Sequence, residues 1–216
     1  IEIVDARIPI SSRNPDIDSL AVNKARIILL NKSDLADDKI TNQWINYFNE
    51  NNIYCLKLNS RNNSGIKQVN GLIMTACADK IERNKQRGIL NRPIRAMVVG
   101  IPNVGKSTFI NSYAGKASAK TGNKPGVTKG KQWIKLNKNV ELLDTPGILW
   151  PKFDNQEVGK RLAMIGSMND EILNVEELAI DTIKYIYSEY SDNVIERYGL
   201  DLSLIHISEP TRPISI

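Results

Sequence analysis

The chain has 216 residues, 41% of them hydrophobic and 25% charged, and a formal net charge of +5. That length accommodates one nucleotide-enzyme-sized domain and a small appendage, and that composition excludes a disordered, collagen-like or disulfide-dense chain. Residues 1–150 carry a net +11 and residues 151–216 a net −6, so the basic field is localised and favours polyanionic partners such as nucleotides and RNA.

The sequence opens on Ile1-Glu2-Ile3-Val4-Asp5, inside a strand-like run with no basic leader, so a native segment is expected before residue 1. Strands are predicted at residues 1–4, 26–30, 53–58, 94–99 and 140–143. Amphipathic helices are predicted at 39–49, on Ile40, Trp44, Ile45 and Phe48, and at 65–85, on Ile66, Val69, Ile73, Ala76 and Ile81. The alternation implies an α/β fold with a largely parallel sheet covered by helices. Residues 80–95, rich in Lys and Arg and broken by Gly88 and Pro93, read as a charged helix end running into a connection between two halves of one domain. From Gln156 onward the chain turns helical and acidic, with Leu178, Ile183, Ile186 and Tyr187 on one stripe and a helix end at Tyr198-Gly199. Residues 202–216, with Pro210 and Pro213 and no sustained period, read as a non-native tail; His206, the one histidine, falls there. No apolar run approaches the ~20 residues of a membrane span. Cys55 and Cys77 lie in apolar segments without metal-ligand spacing, which predicts buried reduced thiols and a cytoplasmic setting.

Three motifs carry chemistry. Gly100-Ile101-Pro102-Asn103-Val104-Gly105-Lys106-Ser107 fits G-x-x-x-x-G-K-[ST], between a predicted strand and a helix at 108–113. Such a loop wraps phosphates in backbone N–H groups, including those of Asn103, Val104, Gly105 and Thr108, while Lys106 reaches the β and γ oxygens and the Ser107 hydroxyl ligates Mg²⁺. Asp144-Thr145-Pro146-Gly147 follows a strand: Asp144 would hold Mg²⁺ through water, and Gly147 would present its N–H to the γ-phosphate. Asn31-Lys32-Ser33-Asp34 ends another strand and suits a purine reader. There a buried Asp34 carboxylate would accept from N1–H and the 2-amino group of guanine, Asn31 would bridge to neighbouring loops, and the Lys32 stem would cover one base face. An Asx-type helix cap at Asp34 is the alternative reading of that tetrad.

Together these motifs resemble those of the GTPases, in an unusual order: the base reader precedes the phosphate loop. The sequence thereby resembles the YlqF-related circularly permuted GTPases, supported also by Asp5-Ala6-Arg7-Ile8-Pro9, by Lys124-Pro125-Gly126-Val127-Thr128 and by the stretch from Asp144 to Phe153. The resemblance implies a three-layer P-loop GTPase fold, permuted to the motif order G4-G5-G1-G2-G3, over residues 1–165. It implies the start of a helical RNA-binding domain at 166–201, with the Leu178 stripe uncovered and prone to self-association. It further implies Thr128 as the switch threonine on Mg²⁺ and the γ-phosphate, Ser60 as the residue whose backbone N–H meets guanine O6, and Asn103 as a ligand for K⁺. The position after Gly147 is Ile148, which cannot position a water, and the family's histidine for that task precedes the region where this sequence begins. The water-positioning group is therefore not assigned to any position here; the resemblance implies catalytic roles for Lys106, Thr128 and Gly147, and slow intrinsic hydrolysis of GTP is expected. The implied role is a monomeric, GTP- and GDP-binding, GTP-hydrolysing assembly factor for the large (50S) ribosomal subunit, with Lys116, Lys120, Lys124, Lys129, Lys131 and Lys135 as a candidate rRNA surface. A nucleotide-gated RNA-binding module with negligible hydrolysis and a P-loop ATPase are the rival readings.

Overall fold

The first strand, β1 (Glu2–Asp5), is buried along its whole length, which is what a central strand of a sheet covered on both faces requires. The structure, a computed structural model, describes residues 1–89, 92–115, 132–135, 138–147, 149, 155–168 and 174–199. Around β1 stand β2 (Ile27–Asn31) and β3 (Tyr54–Lys57), paired in parallel with Glu2 opposite Ile28 and Ile28 opposite Cys55. The second half supplies β4 (Ile94–Val98), β5 (Gln132–Lys135) and β6 (Val140–Asp144), with β6 parallel to β4 and antiparallel to β5. A parallel bridge between Glu2 and Val99 joins the halves: Ile3 N donates to Val99 O at 2.9 Å and Val99 N to Ile1 O at 2.9 Å. The described strands therefore run in the order β3-β2-β1-β4-β6-β5, and among them only the edge strand β5 is reversed.

Side-chain alternation divides the core into two layers. Ile3, Ile27 and Leu29 point to one face, against Ile66, Val69 and Ile73 of α3 (Ile66–Ala76) and Phe109 and Ile110 of α5 (Lys106–Ala114). Val4, Ile28 and Leu30 point to the other, against Phe48, Trp44 and Ile45 of α2 (Asp38–Glu50). Helices on both faces of a mostly parallel sheet make the three-layer α/β architecture. The cap of α2 is Asp37, whose carboxylate accepts from Ile40 N at 2.8 Å. Capping therefore does not account for Asp34, which lies in a short 3₁₀ turn, Ser33–Leu35.

Three local features differ from expectation. The helix predicted at 65–85 is two helices, α3 and α4 (Ala78–Gln86), separated at Cys77. Cys77 and Ile81 still pack against the core that holds α3, but α4 has no fully buried side chain, so its hold on the sheet is weaker. Cys77 is correspondingly only half-buried, whereas Cys55 is buried and its thiol is pushed up to about 12 by desolvation; both are free. Two elements were not expected: β5, a four-residue edge strand in which Ile134 is buried between the exposed Trp133 and Lys135, and α1 (Asp16–Leu20), which buries nothing. Neither carries a periodic apolar signal.

After β6, α6 (Gln156–Met164) is capped by Asn155 and buries Leu162 and Ala163. The chain then divides at Asp170 into two units. In the second, α7 (Val175–Tyr198) is capped by Asn174 and ends where the Tyr198-Gly199 pattern places its end. Tyr190 interrupts it with non-helical angles, φ −139° and ψ 39°. Ile183 and Ile186 are exposed, and Leu178 and Tyr187 are half-buried.

Because Ile3 is fully buried at the seam between the halves, Ile3→Ala is expected to destabilise the protein by about 2–5 kcal/mol, read from chemical denaturation.

Candidate nucleotide site

The phosphate loop connects β4 to α5, and Gly105, at φ 97°, is the residue before the helix begins. A Cβ there would lie 2.4 Å from Asn31 Nδ2, so the loop can close on the base-reading segment only with glycine at this position. Asn103 takes the left-handed region, φ 56°, and Gly105 also has a positive φ, the conformations from which anion-binding backbone loops are built. Val104, fully buried, plugs the loop into the core.

Lys106 is nearly buried, and its Nζ donates to Gly100 O at 2.9 Å and Ile101 O at 2.7 Å, which leaves the third donor of the ammonium for a phosphate oxygen. Burial lowers it to about 8, partly offset by the charge of Asp144. Asp144, at the end of β6, is also buried, and burial raises its carboxyl against the opposing pull of Lys106. Its Oδ1 is one of three buried side-chain polar atoms among the described residues with no hydrogen-bond partner. A buried acceptor of this kind is what a metal-bound water satisfies, so the Asp144 carboxylate fits a site for Mg²⁺. No three His, Cys, Asp or Glu side chains among the described residues cluster as a protein-only cage, and a cation carried in on phosphates requires none.

Gly147 lies against this machinery. A Cβ on it would approach Lys106 Nζ to 2.6 Å, Pro102 Cα to 2.8 Å and Pro102 N to 2.9 Å. The segment before it is pinned by Thr145, whose hydroxyl donates to Val98 O at 2.7 Å. Thr145 has no role in the sequence reading because hydroxyl-to-backbone anchoring leaves no spacing pattern.

The base-reading tetrad meets the loop through Asn31. Its Nδ2 donates to Val104 O at 2.8 Å, and its Oδ1 accepts from Ser60 N at 3.1 Å and Ser60 Oγ at 2.9 Å. Asn31 thus ties the phosphate loop to the Ser60 loop. The Ser60 N–H is thereby engaged by Asn31, which braces the loop that carries it. Ser60 O also accepts from Ser112 Oγ of α5 at 2.5 Å. Asp34 differs from expectation, being exposed rather than buried. A carboxylate carried on an exposed 3₁₀ turn stays hydrated until a base covers it.

Lys32, at φ 60° and ψ 36°, sends its Nζ to Asp5 Oδ2 at 2.9 Å. Burial would raise the fully buried Asp5 carboxyl, but hydrogen bonds from Arg7 and the charges of Lys32 and Arg7 hold it below the usual carboxylate range. Asn103 Nδ2 donates to Gly166 O at 2.6 Å, after α6, which leaves the amide oxygen as its cation-capable atom. Thr108 and Ser107 lie half-buried in the first turn of α5. Thr128, Ile148 and five of the six candidate RNA-facing lysines lie outside the described residues; the sixth, Lys135, is exposed on β5.

A phosphate loop on β4, a carboxylate and glycine after β6, and an N-K-x-D tetrad delivered from the preceding half define a circularly permuted P-loop GTPase. Residues 95–205 match the family described as 50S ribosome-binding GTPase. Ribosome biogenesis GTPase A of Bacillus cereus is 48% identical over 201 residues, covering 93% of this chain and 68% of that protein. The Priestia megaterium protein of that name is 49% identical, covering 93% and 70%. A crystal structure of GNP-bound YlqF from T. maritima superposes with a TM-score of 0.60 at 26% identity, covering 94% of this chain and 78% of that one. The chain belongs to the ribosome biogenesis GTPase A family, the YlqF-like permuted GTPases.

Two outcomes follow from this geometry. Gly147→Ala, read by fluorescent-GTP titration and phosphate release with circular dichroism as the fold control, is expected to weaken GTP binding by about tenfold or more, since its methyl overlaps Lys106 and Pro102. Asp5, whose folded carboxyl titrates below its ordinary value, stabilises the fold fully above the ordinary carboxylate range and loses that contribution as pH falls through its folded value. Between about pH 6 and about pH 3 the melting temperature is expected to fall, with a shallower decline for Asp5→Asn.

Proposed function

We propose that this chain binds GTP with Mg²⁺, hydrolyses it slowly, and uses the nucleotide state to time its association with assembling large ribosomal subunits in the cytoplasm. The observation that supports this most directly is the side-chain amide of Asn31, which ties the guanine-reading tetrad to the phosphate loop at Val104. A ligand gripped by one part is thereby registered against the other.

In this reading the chain's own residues divide the work. Loop N–H groups and Lys106 hold the β and γ phosphates and stabilise the charge that develops on them. Ser107, Asp144 and Thr128 hold the Mg²⁺, which neutralises phosphate charge when bound. Gly147 N–H faces the γ-phosphate, a contact that hydrolysis removes. Asp34 takes the guanine edge, and the Asn103 amide oxygen serves a K⁺ in place of an arginine. Residues 1–165 form the GTPase domain, and 166–201 open a helical RNA-binding domain. The positive charge of the first 150 residues, Lys135 on β5 included, supplies the rRNA-facing field.

Sedimentation of the protein with immature large-subunit particles in a non-hydrolysable GTP analogue, in GDP and without nucleotide tests the proposal. Retention is expected with the analogue and loss with GDP. Single-turnover hydrolysis is expected to accelerate with particles and in K⁺ over Na⁺. Equal retention in all three conditions with no acceleration would identify an RNA-binding module that does not use its nucleotide as a timer.

A further inference from the structure

The Asp5-Ala6-Arg7 segment has no part in the phosphate chemistry, yet it holds one of the most completely satisfied charges in the molecule. Asp5 is fully buried at the end of β1. Its Oδ1 accepts from Arg7 N at 3.1 Å and Arg7 Nε at 2.8 Å. Its Oδ2 accepts from Arg7 Nη2 at 2.7 Å and is ion-paired with Lys32 Nζ at 2.9 Å. Of the about four acceptor positions an ionised carboxylate offers, Arg7 takes three, and the Lys32 ammonium closes on the carboxylate as a second cation. Arg7 alone would neutralise Asp5 with a two-pronged pair, so a second cation is not needed to make the burial tolerable.

The second cation is the lysine of the base-reading tetrad. Asp5 stands opposite Asn31 in the β1–β2 register, and Ala6 N donates to Asn31 O at 2.9 Å, which fixes the backbone immediately before Lys32. Lys32 is then held at both ends: its backbone by the left-handed turn that opens the Asp34 segment, its ammonium by Asp5. A free lysine side chain carries about 2 kcal/mol of rotamer entropy, much of which a two-ended tether removes in advance.

We propose that Asp5 is a positioning residue for base recognition, anchoring the Lys32 ammonium so that the lysine's methylene stem is already laid where it covers one face of the guanine. The proposal rests on the guanine-binding reading above. Arg7 locks the anchor, and Asp34, whose charge also reaches Arg7, reads the base edge from the same turn. The stem touches the ring face, so its contribution is blind to the exocyclic groups; Asp34 accepts from the 2-amino group, so its contribution is not.

Fluorescent GDP and IDP, which lacks the 2-amino group, separate the two roles. Asp5→Asn keeps the side-chain shape, removes the charge and places amide donors among the donors of Arg7 and Lys32. It is expected to weaken GDP and IDP equally, by about tenfold, mainly through faster dissociation. Asp34→Ala is expected to erase the preference for GDP over IDP. In a Lys32→Gln background Asp5→Asn is expected to cost less than about twofold, because the anchored group is gone. Should Asp5→Asn fail to fold, the ¹⁵N signal of the Lys32 ammonium in the wild-type protein decides: an anchored ammonium exchanges slowly before nucleotide is added. Unchanged affinity in a folded Asp5→Asn, a loss confined to GDP, a full loss in the Lys32→Gln background or a freely exchanging Lys32 ammonium would each overturn the proposal. A wild-type protein that binds neither nucleotide, or whose preference for GDP survives Asp34→Ala, would instead remove the guanine-pocket reading beneath it.

Discussion

The carboxamide of Asn31 is the interaction on which the site depends. One planar group donates to Val104 O in the phosphate loop and accepts twice from Ser60 in the base loop, so three segments distant in sequence share a single rigid plane. All of this lies in the interior, with Asn31, Val104 and Ser60 each nearly excluded from water. Removing the amide would leave Val104 O and the Ser60 donors buried without partners, and a buried group left unpaired loses more than the bond is worth on average. Glycine at 105 belongs to the same constraint, since the amide occupies the space a Cβ would need.

Around that point the two halves of the sheet are joined by few but well-buried contacts. The bonds among Ile1, Ile3 and Val99 make one sheet of two three-stranded sets, and Ser112 of α5 reaches across to Ser60. Packing of α5 on α3 adds an apolar layer to the same seam, with Tyr113 Oη donating to Asn70 Oδ1 at 3.3 Å. A permuted chain order costs nothing in the finished sheet, because strand adjacency rather than strand sequence determines which loops gather at the carboxyl edge.

The phosphate loop and the N-K-x-D tetrad were legible in the sequence because their chemistry demands particular residue types at fixed intervals. The central strands were legible because burial on both faces makes their residues uniformly apolar. Residues whose roles depend on partners far along the chain were less so. Nothing local to Ser60 shows that its N–H would turn to Asn31, nothing local to Asp34 shows that a 3₁₀ turn would hold it in solvent, and nothing local to Asp5 shows that a lysine 27 positions on would share its carboxylate. Short marginal elements such as β5 and α1 escaped for a simpler reason: one buried side chain between exposed neighbours, or none, is too little to generate a period. The break at Cys77 escaped because apolar spacing continues to Ile81 although the backbone does not.

The seam between β1 and β4 also bears on how such a chain is made. Synthesis proceeds from the amino terminus, so the half carrying β1, β2 and β3 leaves the exit tunnel before any of β4 exists. Until then one side of β1 exposes the unpaired backbone groups that Val99 later takes up, an edge of the kind that invites pairing with other nascent chains. The parts of the nucleotide site can therefore meet only once translation has delivered the strand that closes the gap.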